Sequence, residues 1–166
     1  MKDQDIQLIS RLITGVRWAA LATVTEQGPE ASHVAFVAEP DFGAMLLHLS
    51  GLAAHTRNLS DDPRASLAIG EADCERGDPQ TLARLSLHGH IEKLARDTPA
   101  YSAARQCYLA RIPTAEALFG FADFSLFRLV VERGRLVGGF GRARDFSPEA
   151  LRLAARFAAA RPDSAD

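Results

Sequence analysis

The sequence predicts an α+β fold, mainly β: an antiparallel split β-barrel of six or seven short strands with peripheral helices. Three observations carry this expectation. Short runs rich in small and β-branched residues follow one another in hairpin order, helical spacing is confined to the two ends and a few insertions, and strands do not alternate regularly with crossover helices. The last point disfavours a parallel doubly wound sheet. With 166 residues, 47% of them hydrophobic, the chain can bury one good core but not comfortably two, so residues 1–166 are expected to form a single domain.

Each element has a local reason. In "DQDIQLISRLITG", Ile6, Ile9 and Ile13, with Leu8 and Leu12, recur at three- and four-residue spacing, which predicts an amphipathic helix over 3–15 closed by Gly15. "VRWAALATV" and "ASHVAFVA" read as two strands around a turn at Gly28 and Pro29, and "AMLLHLS" as a buried strand after the turn "PDFG". Helical spacing runs from Leu52 to Leu59 and stops at Asp61-Asp62-Pro63, because a residue before proline is pushed out of the α region. "RASLAIG" resumes the sheet, and the polar "EADCERGDPQTLA" predicts a long surface loop. "RLSLHGHIEKL" alternates as a strand should, with Gly89 predicting a bulge that resets the register. Residues 98–111 predict a helix capped by Thr98 with Pro99 at its first position. A last hairpin is placed around Arg133-Gly134, and a final helix over 147–161 begins at Ser147-Pro148-Glu149.

Charge and composition exclude several classes of function. A formal charge of −2, with 19 scattered basic residues against 21 acidic ones, gives no footprint for nucleic acid. The opening "MKDQDIQLIS" has no apolar leader and no run approaches a membrane span, so a cytoplasmic protein is expected, without nucleic-acid or membrane partners. Cys74 and Cys107 lack the spacing of a zinc site or disulfide framework. His88 and His90 share one strand face and could grip a metal, but no third ligand lies nearby in sequence, so no metal is expected.

The chemistry concentrates in "HLSGLAAHTRNLSDDPRASL". A helix start offers unpaired N–H groups and partial positive charge, and Ser50, His55, Thr56, Arg57 and Asn58 add side-chain donors around it, as a phosphate would need. The alternative is that Ser50 caps the helix while Arg57, Asn58 and His55 face water.

Taken in order, "GPEASHVAFV", "LLHLSGLAAHTRNLSDDPRASL", "RLSLHGHIEKL" and "FADFSLFRLVVERGRLVGGFGRA" resemble the flavin-binding split-barrel superfamily of pyridoxamine 5'-phosphate oxidase, especially its HugZ-related branch of haem-utilisation proteins. The resemblance covers about residues 5 to 145. It implies a homodimer with flavin mononucleotide (FMN) in a cleft between subunits. Ser32 and Val34 would be second-strand contacts, and Ser50, His55, Thr56 and Asn58 the phosphate group's partners. Arg84 would lie near the ring, and Gly139 and Phe140 at the flavin edge. The flavin itself would perform the redox step, so catalytic side chains remain unassigned. The resemblance thus implies an FMN-dependent oxidoreductase acting on a small molecule of unassigned identity. Two other readings stay open: a flavin-binding module without turnover, and a haem-binding protein of the HugZ type with His33, His48 or His55 as ligand.

Overall fold

A computed structural model describes residues 1–139 and 141–160. Its strands are β1 (Trp18–Thr25), β2 (Gly28–Ala35), β3 (Val37–Ala38), β4 (Ala44–Ser50), β5 (Arg64–Gly70), β6 (Arg84–Lys93), β7 (Phe124–Val137) and β8 (Ala143–Phe146). Its helices are α1 (Asp3–Gly15), α2 (Ala54–Asp61), α3 (Pro99–Arg111) and α4 (Pro148–Ala159), with a 3₁₀ segment at Pro113–Gly120. Every pairing is antiparallel, in the order β2-β1-β5-β6-β7-β4-β3, with β8 added to β7. This is the predicted split-barrel arrangement; the two-residue β3 and four-residue β8 bring the count to eight.

The main core forms against one face of the sheet. Leu21, Leu67 and Leu87 stand in register across β1, β5 and β6, and all three are wholly buried. Helices α1 and α4 close this core: Ile9 and Leu12 from α1 and Leu151 and Ala154 from α4 enter the same cluster, as their helical spacing requires. Strand β4 is apolar along most of its length because it is covered on both sides. Met45, Leu47 and Leu49 join the main core, while Leu46 joins a second cluster with Tyr108, Ile112 and Phe119 beneath α3 and the 3₁₀ segment.

Several local expectations need correction. Ser50 does not cap α2: Ala53 holds that position, and the Ser50 hydroxyl instead accepts the Leu52 N–H at 3.1 Å in a tight turn closing β4. Ser147 likewise makes no side-chain cap on α4, whereas Thr98 caps α3 through the Tyr101 N–H at 3.1 Å. Arg133-Gly134 is not a turn. β7 runs straight through it, because Phe146 of β8 lies over Gly134 and both sheet neighbours are supplied there. The reversal comes later, between Val137 and Ala143.

At Gly89 the register does shift, as expected. His88 pairs with Arg133 and Gly89 with Val131, so the extra residue, Glu132, lies on β7 and not on the glycine's own strand. The kinked β7 backbone brings the Val130 carbonyl against Gly89, in space that a Cβ would occupy.

Candidate functional site

One cavity of about 360 Å³ opens between β2, the end of β4, the start of α2, α3 and the 3₁₀ segment. Its walls are largely apolar: Val34, Leu49, Ile112, Ala115, Leu118 and Phe124. Trp18 stands at its edge, 60% exposed and stacked on His33 with ring centroids 5.7 Å apart. Three imidazoles, His33, His48 and His55, line the same space. Strand pairing explains the convergence, since β1 sets Trp18 opposite Ala35 and Ala20 opposite His33, while β7 sets Phe124 opposite Ser50.

The three histidines differ in environment. His48 projects from β4 into the second cluster, 8% exposed, stacked face to face on Phe119 at 3.8 Å and edge-on to Tyr108. Neither of its ring nitrogens has a hydrogen-bond partner among the described residues. Burial, assisted by the positive charge of Arg96, lowers its pKa to about 4 and keeps it neutral near pH 7. His55, the second residue of α2, is half-buried, with Nδ1 3.0 Å from the Ser32 hydroxyl. Burial lowers its pKa, against the opposing charge of Glu30. His33 is exposed and stacks on Trp18, with no side-chain hydrogen bond among the described residues. Tyr108, beside His48, is pushed up to about 12 by burial and stays a neutral phenol.

His48 makes the stability of the fold depend on pH. Its folded pKa of about 4 lies below the ordinary 6.5, so proton uptake favours the unfolded chain. Its contribution is complete above pH 6.5 and is lost progressively as pH falls toward 4, by at most about 1.4 kcal/mol per pH unit. Urea midpoints compared at pH 7 and pH 5 should fall less steeply in His48→Phe than in the wild type. Parallel slopes would show that His48 does not carry the effect. His90 works in the opposite direction, its pKa raised by a 2.7 Å contact with Glu132, but it is too exposed to offset the loss.

The predicted site residues are only partly assembled. Val34, Ser50 and His55 line the cavity, and Ser32 is hydrogen-bonded to His55. Thr56 is buried behind them, its hydroxyl without a partner among the described residues. Two of the expected phosphate donors face carboxylates: Ser50 Oγ donates to Asp123 at 2.6 Å, and Asn58 Nδ2 donates to Glu30 at 2.9 Å and to Thr23 at 3.0 Å. Arg84 and Gly139 are elsewhere in this chain. Arg84 pairs with Val137 at the end of the 14-residue β7, whose other end, Phe124, walls the cavity. Gly139 lies near the Thr81 carbonyl, and Phe140 falls outside the described residues. Trp18, Tyr108 and Ile112 were not legible as wall residues. The only sequence signal was their apolar character, which looks the same in a core.

Among the described residues no cluster of three histidine, cysteine or acidic side chains is placed to hold a metal ion by itself. His88 hydrogen-bonds Ser66 at 2.6 Å, and His90 hydrogen-bonds Glu132. No helix among the described residues is long and apolar enough to cross a membrane.

Comparison with known proteins places this cavity in context. The family described as CREG, beta-barrel, matches residues 5–150. Haem oxygenase HutZ of Vibrio cholerae is 32% identical over 133 residues, covering 79% of this chain and 74% of HutZ. The chloroplastic haem oxygenase HOZ of Arabidopsis thaliana is 31% identical over 141 residues, 83% of this chain but 41% of HOZ. Among solved structures, a haem-binding protein from Mycobacterium smegmatis superposes with a TM-score of 0.78 at 35% identity, over 92% of this chain and 61% of that one. The chain therefore spans less than two thirds of HOZ and of the mycobacterial protein. Flavin-related neighbours are more distant and share the fold alone. A pyridoxinephosphate oxidase family protein of Clostridium acetobutylicum is 14% identical, with a TM-score of 0.68 over 91% of this chain and 99% of that one. An FAD-binding protein of Mesorhizobium loti is 15% identical, with a TM-score of 0.62 over 82% and 96%.

Proposed function

Since the chain belongs to the CREG β-barrel family and to the group of split barrels that includes HutZ, we propose that it binds haem in the cavity beside α2. The observation that carries this reading is the cavity's chemistry. A porphyrin needs broad apolar and aromatic walls with an imidazole within reach of its iron. Phe124, Ile112, Leu118 and Trp18 supply the walls, and His33 and His55, which line the same space, supply imidazoles. The same geometry serves FMN less well, because Asp123 and Glu30 occupy two of the expected phosphate donors and would repel a dianion.

Bound haem would bring the redox and oxygen chemistry of its iron. The chain's own part is to hold the ring, exclude water from it and keep the neighbouring imidazoles neutral, which burial of His48 and His55 achieves. Hemin added to the purified protein at neutral pH should give a saturable Soret change with one equivalent per chain. FMN added under the same conditions should give no saturable flavin signal. The reverse outcome would replace haem with the flavin reading and restore an FMN-dependent oxidoreductase as its function.

Pairing of two chains belongs to the same proposal. The outer face of the sheet carries a patch of small side chains, Ala20 beside Ala68 beside Ser86, and Ala22 beside Ser66, which allows two such patches to approach closely. Sedimentation should give the mass of a dimer, and Ala68→Arg should shift it to a monomer; a monomeric wild type would refute the pairing. The proposed compartment is the cytoplasm, where the free thiols of Cys74 and Cys107 would persist.

A further inference from the structure

The geometry points to His55 as the iron ligand, coordinating through Nε2, with Ser32 as the residue that positions its ring; this rests on the haem reading above. A histidine that ligates a metal almost always gives its other ring N–H to a fixed acceptor, which selects the tautomer and orients the lone pair. Of the three imidazoles lining the cavity, only His55 meets that condition. Its Nδ1 lies 3.0 Å from Ser32 Oγ on β2, while among the described residues nothing bonds its Nε2. With Nδ1–H donating to Ser32, Nε2 keeps its lone pair for the cavity.

The other two imidazoles lack one requirement each. His48 is wedged between Phe119, at 3.8 Å, and the edge of Tyr108, and has no group to fix its ring tautomer. His33 lies flat on Trp18, the two rings 15° from parallel, at an exposed position and without a hydrogen-bonded partner among the described residues. The backbone also favours His55. It occupies the first turn of an eight-residue helix whose next residue, Thr56, is buried, so the Cα is held firmly while the half-buried ring lines the cavity. Coordination is a simple donation of the Nε2 pair to iron, with the Nδ1 proton retained on the Ser32 bond, and it consumes no oxidant or reductant.

The test separates the ligand from the pocket by using hemin and metal-free protoporphyrin IX side by side. His55→Ala should weaken hemin binding at least tenfold and alter the Soret position and ligand-field bands, while protoporphyrin IX affinity stays within twofold. Added imidazole should restore the wild-type hemin spectrum. Ser32→Ala should weaken hemin about tenfold with protoporphyrin unchanged, Ser32→Thr should recover it, and His90→Ala, at a histidine on β6 outside the cavity lining, should leave both unchanged. A His55→Ala spectrum identical to wild type would overturn the ligand assignment while leaving haem binding in place. Equal losses for hemin and protoporphyrin would mean that His55 only shapes the wall, and would overturn it too. A wild-type protein that takes up neither ring would defeat the haem reading and the ligand assignment with it.

Discussion

Replacing Gly89 with alanine is expected to remove about 3 kcal/mol or more of stability, lowering Tm by roughly 6–12 °C for a chain of this size. The cause is steric and does not depend on any bound group. The added methyl would occupy the position of the Val130 carbonyl, which the bulge at Glu132 has pushed against β6. Relief would require β7 to move away, yet β7 is bonded to β6 on one side and, from Phe124 to Val130, to β4 on the other. Thermal unfolding followed by circular dichroism measures the effect. Ser86→Ala, on the outer face of the same strand, serves as control and should stay within about 0.5 kcal/mol. Equal melting temperatures for the two variants would show that the close approach at Gly89 is not a constraint.

Gly134→Ala should cost about 2–3 kcal/mol through a different neighbour. The ring of Phe146 covers Gly134 where a Cβ would stand, and Phe146 is itself 8% exposed and part of the main core. The two side chains therefore compete for one volume. Phe146→Leu alone should cost about 1–2 kcal/mol, and in the double variant the smaller, more adaptable leucine should make room for the alanine methyl. The sum of the single losses should exceed the double loss by about 1 kcal/mol or more. Strict additivity in urea denaturation would mean that the ring and the strand do not share that space.

These two glycines show what a single sequence does and does not disclose. Gly89 signalled its bulge because a glycine that interrupts clean alternation marks a place where the ladder breaks or another backbone comes close, but the sequence could not say that the extra residue falls on β7. Gly134 looked like a turn because Arg-Gly between two apolar runs is ordinary turn chemistry. The covering phenylalanine, twelve residues further on, outweighed that local preference. Helix α1 was legible to the residue, since its apolar stripe and closing glycine are both local. Asp61-Asp62-Pro63 ended α2 for an equally local reason.

The site was legible as a place more than as a set of contacts. Of the stretch from Ser50 to Asn58, Ser50, Ala53 and His55 line the cavity, and Ser32 reaches His55 across the space between β2 and α2. The sequence could not show that Asp123, 73 residues beyond Ser50, and Glu30, 28 residues before Asn58, would take up those donors. Long-range partners of this kind decide whether a cluster of donors suits an anion. They are fixed by strand register, which no local motif encodes.

The placement of Trp18 also has an optical consequence. It is the sole tryptophan of the chain and stands at the mouth of the cavity, stacked on His33. Its emission therefore arises from one position, beside the very volume a pigment would fill. Energy transfer to a porphyrin lying against Phe124 would extinguish that light, so each chain carries an intrinsic fluorometer for its own occupancy.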